Sequence, residues 1–214
     1  MKYLNNLIVL LIILFSACSR NGNSQNYHPV KLTNEEMQLL DTATFAAGCF
    51  WCVEAVFEQV KGVKEAVSGY AGGKKENPTY RQVVAGATGH AETVQIYFNP
   101  LEISYDKLLE IYYASQDPTQ VNGQGPDHGN QYRSIIFYHN SYQKEKAEKY
   151  HNELRNSGRY DKPLTVSIEP YTVFYPAEEY HQDYEKKNPN DSYIRAVSQK
   201  RVKKIEDNFP GLMK

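Results

Sequence analysis

The stretch Gly48-Cys49-Phe50-Trp51-Cys52-Val53-Glu54 constrains the fold more than any other part of the chain. After it, Val53, Val56, Phe57 and Val60 recur at i, i+3, i+4 and i+7, the period of a helix with one buried face, and Gly62 supplies a stop just beyond. Before it, Thr44 to Ala47 reads as a strand. The chain therefore turns from strand to helix at Gly48-Cys49, with one thiol at the first turn and a second three residues on. Unpaired backbone N–H groups and the positive end of the helix dipole collect there, so Cys49 is expected to be more ionised than a free cysteine, whose pKa is about 8.5. The bland alternative is that Cys49 is a buried small hydrophobe. Two thiols beside Phe50 and Trp51 at such a turn are hard to attribute to packing alone.

The remaining segments mix strands and helices without a repeat. Val63 to Ser68 reads as a strand followed by a bend at Gly69, Gly72 and Gly73. Ala91 to Phe98 alternates, with Val94, Ile96 and Phe98 on one side and Thr93, Gln95 and Tyr97 on the other, and Asn99-Pro100 ends it. A helix follows Ser104 and stops at Asp117-Pro118, and Val121 to Asn130 reads as loop. Ser134 to Tyr138 is a strand, Ser141 caps a helix running to about Asn156, and Leu164 to Ile168 is a strand leading to Tyr171 to Phe174. The segment beyond Asn188 is charged and is expected on the surface, with Lys200 to Lys204 a solvated face. This pattern predicts an α+β fold with helices against a mixed sheet.

The first residues form a different region. Met1-Lys2, an apolar run from Leu7 to Phe15 and Ser16-Ala17-Cys18 describe an export signal, and the run is short of the ~20 residues a spanning helix needs. Residues 1–17 are therefore expected to be a signal peptide of lipoprotein type, with Cys18 the lipidated first residue of the mature chain; an ordinary cleaved signal is the alternative. Phe15 departs from the Leu usual three residues before such a Cys. Residues 18–40 read as a tether rich in Ser, Asn and Gly at its start, with a short docked segment at Lys31 to Leu40 that Asn34 could cap. Residues 41–214 are then one domain, exported to the cell envelope and anchored by lipid on the periplasmic or cell-surface side.

With Cys18 assigned to the signal, only Cys49 and Cys52 remain of the three cysteines. That excludes a disulfide framework, and the six histidines show no H-x₃₋₅-H pair to complete a zinc site. A net charge of −1 with interleaved signs favours no nucleic-acid partner.

Seven motifs stand in order along the chain: GCFWCVE at 48–54, SGYAGG at 68–73, NPTY at 77–80, GHAETV at 89–94, DPTQ at 117–120, GNQYRS at 129–134 and YPAEEYHQ at 175–182. Together they resemble the A-type peptide methionine sulfoxide reductases from about Thr44 to about Tyr184. The resemblance implies a ferredoxin-like two-layer plait with a mixed sheet and long loops. It also implies reduction of the S epimer of methionine sulfoxide, free or in oxidised proteins, with no bound cofactor. The implied reductant is thioredoxin-like or a small thiol, and a monomer is expected.

Such chemistry needs a sulfur nucleophile and a proton for the departing oxygen. Cys49 supplies the first, and the resemblance assigns the second to Glu92. Glu92 is also in phase with Val94, Ile96 and Phe98, so it enters from the apolar side of its strand, where a desolvated carboxyl holds its proton to higher pH. Charges also sit at the rims of strands, and the spacing alone does not separate the two. The resemblance further gives Tyr80 and Tyr132 as phenols that bind and polarise the sulfoxide oxygen, Phe50 and Trp51 as the apolar wall for the substrate methyl group, and Asp127 as a neighbouring acid. His181 and Glu178 lie in a matched motif as support or contact.

Attack leaves Cys49 as a sulfenic acid, which a nearby thiol can convert to a disulfide. Many relatives use cysteines near the C-terminus and carry Gly at the place of Cys52; this chain has no cysteine after Cys52, so the resolving role falls to it. Residues three apart on a helix have Cα atoms about 5–6 Å apart, within the roughly 4.4–6.8 Å of disulfides. Two other readings use the same residues: a general thiol–disulfide oxidoreductase, which would need neither Glu92 nor Tyr132, and a lipoprotein that binds methionine-containing partners through aromatic surface.

Overall fold

A computed structural model describes Thr33, Glu36 and residues 38–214. The signal, Cys18 and most of the tether lie outside the described residues. Thr33 and Glu36 exchange reciprocal capping bonds, so Thr33 takes the role expected of Asn34. Glu36, Gln38 and Leu39 are exposed, so these residues do not dock as expected.

The first strand, β1 (Asp41–Ala46), leads through Gly48 into α1 (Phe50–Glu58) and back through β2 (Val63–Ala71). A short helix α2 (Tyr80–Val84) precedes β3 (Ala91–Phe98), then α3 (Tyr105–Ala114). The expected loop contains a two-residue hairpin, β4 (Gly123–Gln124) and β5 (Asp127–His128), and a 3₁₀ turn at Asn130–Tyr132. Beyond it come β6 (Ile135–Tyr138), α4 (Ser141–Asn156), β7 (Ser167–Pro170) and β8 (Phe174–Pro176). Helix α5 (Tyr184–Lys187) and a π-helical turn (Ile194–Ser198) lead into α6 (Gln199–Asn208).

The six long strands form one sheet in the order β7-β6-β1-β3-β2-β8, antiparallel except for the parallel pair β6–β7. Within it β1-α1-β2-β3-α3-β6 is a βαββαβ unit with strand order β6-β1-β3-β2, the ferredoxin-like plait. The expected mixed sheet with helices on it is observed, with β7 and β8 added at its two edges.

The main core lies between the sheet and the helices. Ala43 and Phe45 of β1, Ala66 and Tyr70 of β2, and Val94, Ile96 and Phe98 of β3 meet Val53, Val56 and Phe57 of α1 and Leu108, Ile111 and Tyr112 of α3. The opposite face carries a smaller cluster of Ala46, Ala71, Ala91, Ile135 and Phe137 with Tyr171 and Phe174 over it. There Thr44, Thr93 and Gln95 are also buried, so the polar side of β3 is covered rather than wet. Gln95 and Thr44 bond to one another, and to Tyr171, Tyr97 and His139, which satisfies them.

Several boundaries differ from expectation for local reasons. Helix α1 ends at Glu58, with Gly62 at φ +86° forming the turn into β2 instead of the helix stop. The cap of α4 is Asn140, whose side chain accepts from Gln143 N, and Ser141 is the first helical residue. The segment beyond Asn188 is not a surface tail: Ile194, Ser198, Val202 and Ile205 are buried, while Arg195, Gln199, Asp207 and the lysines of 200–204 are turned to solvent.

Candidate active site

Gly48 makes the corner between β1 and α1. Its φ of +76° is left-handed, and a Cβ there would lie 2.5 Å from Cβ of Gln124, so glycine alone fits. Gln124 is itself fixed: it accepts from Asp117 N at 3.0 Å and donates to the Asp117 carbonyl, Gln116 and Ser134. These bonds carry the DPTQ motif and the β4–β5 hairpin onto the corner. Gly48 N donates to the Tyr132 carbonyl at 3.2 Å, which draws the 3₁₀ turn to the same place.

Cys49 is the N-cap of α1, with φ −57° and ψ 124°, and its side chain makes no capping bond. The first helical N–H, of Phe50, instead donates to Glu92 Oε2 at 3.0 Å. The residue in register with Glu92 on β2 is Tyr70, and its own strand phase turns it toward α1, as its spacing predicted. The carboxyl is 1% exposed. Burial pushes its pKa up to about 8, partly offset by the Phe50 N–H and reinforced by the nearby Asp127 and Cys52. At neutral pH it is a protonated acid at the mouth of the helix.

The thiols behave differently from the sequence expectation. Cys49 is 7% exposed, and burial pushes its thiol well above the ordinary range, helped by Cys52 and by Glu92. Cys52 is pulled down to about 7, first by the hydrogen bond from Cys49, then by the Arg201 cation and the Tyr193 and Ser198 hydroxyls, against its own burial. Burial favours the protonated form at Cys49, and its hydrogen bond favours the charge on Cys52. The expected ionisation of Cys49 at the helix end fails at rest because the free N–H serves Glu92 and because burial outweighs the dipole.

On one side of Cys49 lies an aromatic cluster. Phe50 is buried in the core, stacked on Tyr80 with centroids 6.2 Å apart and close to Tyr70 and His181. Trp51 is half-buried, stacked on Tyr184 at 3.7 Å, and donates from Nε1 to His181 Nδ1 at 3.1 Å. Because Nδ1 accepts, His181 is neutral with its proton on Nε2, and burial pushes its pKa down to about 4. Glu178 accepts from Tyr80 N at 3.0 Å and from the Tyr70 hydroxyl at 2.8 Å, which pins α2 to β2. His181 and Glu178 therefore support the wall. The Tyr80 and Tyr132 hydroxyls donate to no other side chain among the described residues. Burial, Glu92 and Cys49 hold both phenols protonated, so both remain donors.

On the other side both thiols line a cleft of ≈ 440 Å³ with Gln124, Asp127, Tyr193, Lys200, Arg201 and Lys204. Tyr193 donates to Asp127 Oδ2 at 2.5 Å and lies 3.6 Å from Cys52 Sγ. Cys49, Cys52, Glu92, Phe50, Trp51, Tyr80, Tyr132 and Asp127 thus converge around one helix end. Tyr193, Ser198 and Arg201 join them although sequence reasoning left that segment on the surface. The signal for it was the spacing Ile194, Ser198, Val202, Ile205, a narrow stripe in a segment otherwise dominated by charge.

Residues 41–211 match the family described as peptide methionine sulfoxide reductase. Peptide methionine sulfoxide reductase MsrA of Natronomonas pharaonis is 49% identical over 168 residues, 78% of this chain and 94% of that protein. MsrA 1 of Rhodopirellula baltica is 50% identical over 174 residues, covering 81% and 90%. Among solved structures, methionine sulfoxide reductase A of Corynebacterium diphtheriae superposes with a TM-score of 0.68 at 33% identity, covering 78% of this chain and 84% of that one. Reduced Mxr1 of Saccharomyces cerevisiae gives 0.67 at 35% identity, covering 72% and 88%.

Proposed function

The chain belongs to the peptide methionine sulfoxide reductase family, and on that premise we propose how its residues divide the reduction of methionine S-sulfoxide among themselves. The reaction is thiol-dependent reduction of methionine sulfoxide in the repair of oxidised proteins. One observation carries the assignment: a carboxyl 1% exposed, protonated at neutral pH, is bonded to the helix N–H adjoining Cys49.

The substrate methyl group packs against Phe50 and Trp51, and the Tyr80 and Tyr132 hydroxyls donate to the sulfoxide oxygen, which gains charge as the reaction proceeds. Cys49 sulfur attacks the sulfoxide sulfur. Its proton passes to Cys52, the thiolate it already hydrogen-bonds, while Glu92 protonates the oxygen. The adduct then collapses: the substrate S–O bond and the new bond between the two sulfurs break as an S–O bond forms on Cys49. Methionine leaves and Cys49 holds the oxygen as sulfenic acid, so sulfoxide is reduced and cysteine oxidised by two electrons. Cys52 then attacks the Cys49 sulfur. The S–O bond breaks, an S–S bond forms, and hydroxide leaves as water with the Cys52 proton; Glu92 is reprotonated from solvent. A thioredoxin-type dithiol, or a small thiol, returns the disulfide to two thiols by exchange from the cleft side. Asp127 orients Tyr193 over Cys52 in this scheme.

Single-turnover chemistry with the S-sulfoxide tests it. Cys49→Ser should release no methionine, whereas Cys52→Ser should release about one methionine per enzyme and then stall as sulfenic acid with a thioredoxin-type reductant. Dithiothreitol should partly rescue the second variant. Cycling of Cys52→Ser at the native rate with thioredoxin would remove Cys52 from the mechanism.

A further inference from the structure

Arg201 is a half-buried cation that forms no ion pair with a carboxylate among the described residues. Its Nη1 donates to the Ala47 carbonyl at 2.8 Å and its Nη2 to Ser115 Oγ at 3.1 Å, while Nε is buried and has no partner among the described residues. Neither bond supplies negative charge, and no described carboxylate lies within ion-pair distance. A buried cation is costly unless an anion faces it. An arginine does not escape that cost by losing its proton. The groups that can supply the charge are the Asp127 carboxylate, which feels Arg201 across the cleft but is bonded to Tyr193, and the thiols, since Arg201, Asp127, Cys49 and Cys52 line one cleft. Ala47 lies two residues before Cys49, so the bond to its carbonyl locks the guanidinium to the corner that carries the nucleophile. Ser115 caps α3 and locks it from the other side.

We propose that Arg201 is a positioning residue for the second half-reaction: it holds Cys52 as the thiolate that attacks the Cys49 sulfenic acid. This rests on the assignment of Cys52 above. The other groups facing Cys52 are accounted for. Cys49 donates to it from α1, Tyr193 and Ser198 place hydroxyls against it from the C-terminal segment, Asp127 stands behind Tyr193, and Glu92 is protonated. Lys200 and Lys204 lie on the rim of the cleft in solvent, where their charges are screened. Arg201 is the least exposed positive charge of the cleft. In the resting pair the hydrogen bond from Cys49 lowers Cys52 most, and Arg201 is the next group that lowers it, ahead of the hydroxyls.

The consequence is specific to one step. After methionine has left, Cys49 no longer donates a thiol proton, and the hydroxyls and Arg201 remain to favour the thiolate. The step is Cys52–S⁻ plus Cys49–S–OH and a proton giving the disulfide and water, so its rate follows the thiolate fraction and the nucleophilicity of that thiolate.

Rapid-quench single turnovers of the whole chain with methionine S-sulfoxide, scoring methionine and disulfide separately between pH 5.5 and 9.5, test the proposal. R201Q keeps donors for Ala47 and Ser115 and removes the charge; R201K keeps the charge. In the native enzyme, disulfide formation should rise with pH through an inflection below that of a free thiol, held there by Arg201 and the hydroxyls. In R201Q the inflection should move to ~8.5 or above, so that disulfide forms about five- to tenfold more slowly at pH 6, where the smaller thiolate fraction outweighs a more basic sulfur. At pH 9.5 R201Q should equal or exceed the native rate. Methionine release should fall less than disulfide formation, and R201K should return the inflection toward the native one. An unmoved inflection in R201Q, or equal loss in both steps at every pH, overturns the proposal. Should R201Q not fold, a native or R201K inflection at or above the ~8.5 of a free thiol overturns it and one below that supports it. Failure of native enzyme to release methionine, or disulfide formation that survives Cys52→Ser, strikes the assignment of the thiols instead.

Discussion

Glu92 shows how a single burial decides both chemistry and stability. Its carboxyl titrates at about 8 in the folded chain because burial outweighs the one N–H bond it accepts. Unfolded, it returns to the ordinary carboxylate range near 4.3. A group whose folded pKa is raised adds stability in full below its unfolded pKa and loses that contribution as pH rises through its folded pKa. Glu92→Gln removes this titration. The variant should lose about 10²–10⁴ in methionine release, the usual worth of a general acid, and should lack the fall in rate that the native enzyme shows above pH 8. Its melting temperature relative to the native chain should be higher at pH 8.5 than at pH 4.5. Scanning calorimetry at the two pH values and single-turnover rates check the two halves separately, and a native pH–rate profile flat from 7 to 9 counts against Glu92 as the acid. His181 makes the opposite case. Its ring stays neutral down to about pH 4, so no limb near 6.5 should appear in KM. His181→Ala removes the acceptor for Trp51 Nε1 and should raise KM for free methionine sulfoxide severalfold, about 1–2 kcal/mol for a lost buried acceptor, with a smaller change in kcat.

At the scale of elements, the legible parts are those that local pattern determines. Strand β3 matches its expected bounds because Val94, Ile96 and Phe98 alternate with Thr93 and Gln95 and Asn99-Pro100 stops the run. Helix α3 begins where Ser104, its cap, accepts from Lys107 N. The β4–β5 hairpin was illegible because nothing nearby in sequence holds it; the side chain of Gln124 ties it to Asp117, Gln116 and Ser134. The catalytic motif itself was readable, and the charge on its thiols was not, since that depends on Arg201 and Tyr193 from a segment some 140 residues away in sequence. That segment read as surface because one apolar stripe is narrow among seven charged residues from Arg195 to Asp207. Its burial has a measurable consequence. Ile205 is wholly buried in the main core, so Ile205→Ala should destabilise the domain by about 2–5 kcal/mol. For a domain of this size that is a fall in Tm of roughly 4–15 °C. A change of less than a degree would mean that α6 does not dock as described.

The whole molecule places its chemistry where three remote parts of the chain meet: the β1–α1 corner, the end of β3, and the C-terminal helix. The described residues from Asp41 onward hold every group used in the proposed reaction. We propose that residues 1–17 direct export and that Cys18 carries a lipid, from the lysine start, the apolar run of Leu7 to Phe15 and the small residues before Cys18. The segment from Cys18 to Leu40, if extended, reaches at most roughly 70 Å at about 3.3 Å per residue, enough to hold the domain clear of a bilayer and let it meet bulky oxidised proteins. Acyl chains contribute about 0.8 kcal/mol per buried CH₂, so anchoring should survive salt washes that strip electrostatic binding. Cys18→Ser should move the enzyme from the membrane to the soluble fraction of the cell envelope while kcat/KM for free methionine sulfoxide stays within about twofold, because the groups of the proposed reaction all come from residue 41 onward. Intact-mass measurement of the native protein should show a chain beginning at Cys18 with a mass excess of acyl groups. A native chain of unmodified mass, starting at Met1 and recovered from cytosol, would refute both the export and the anchor.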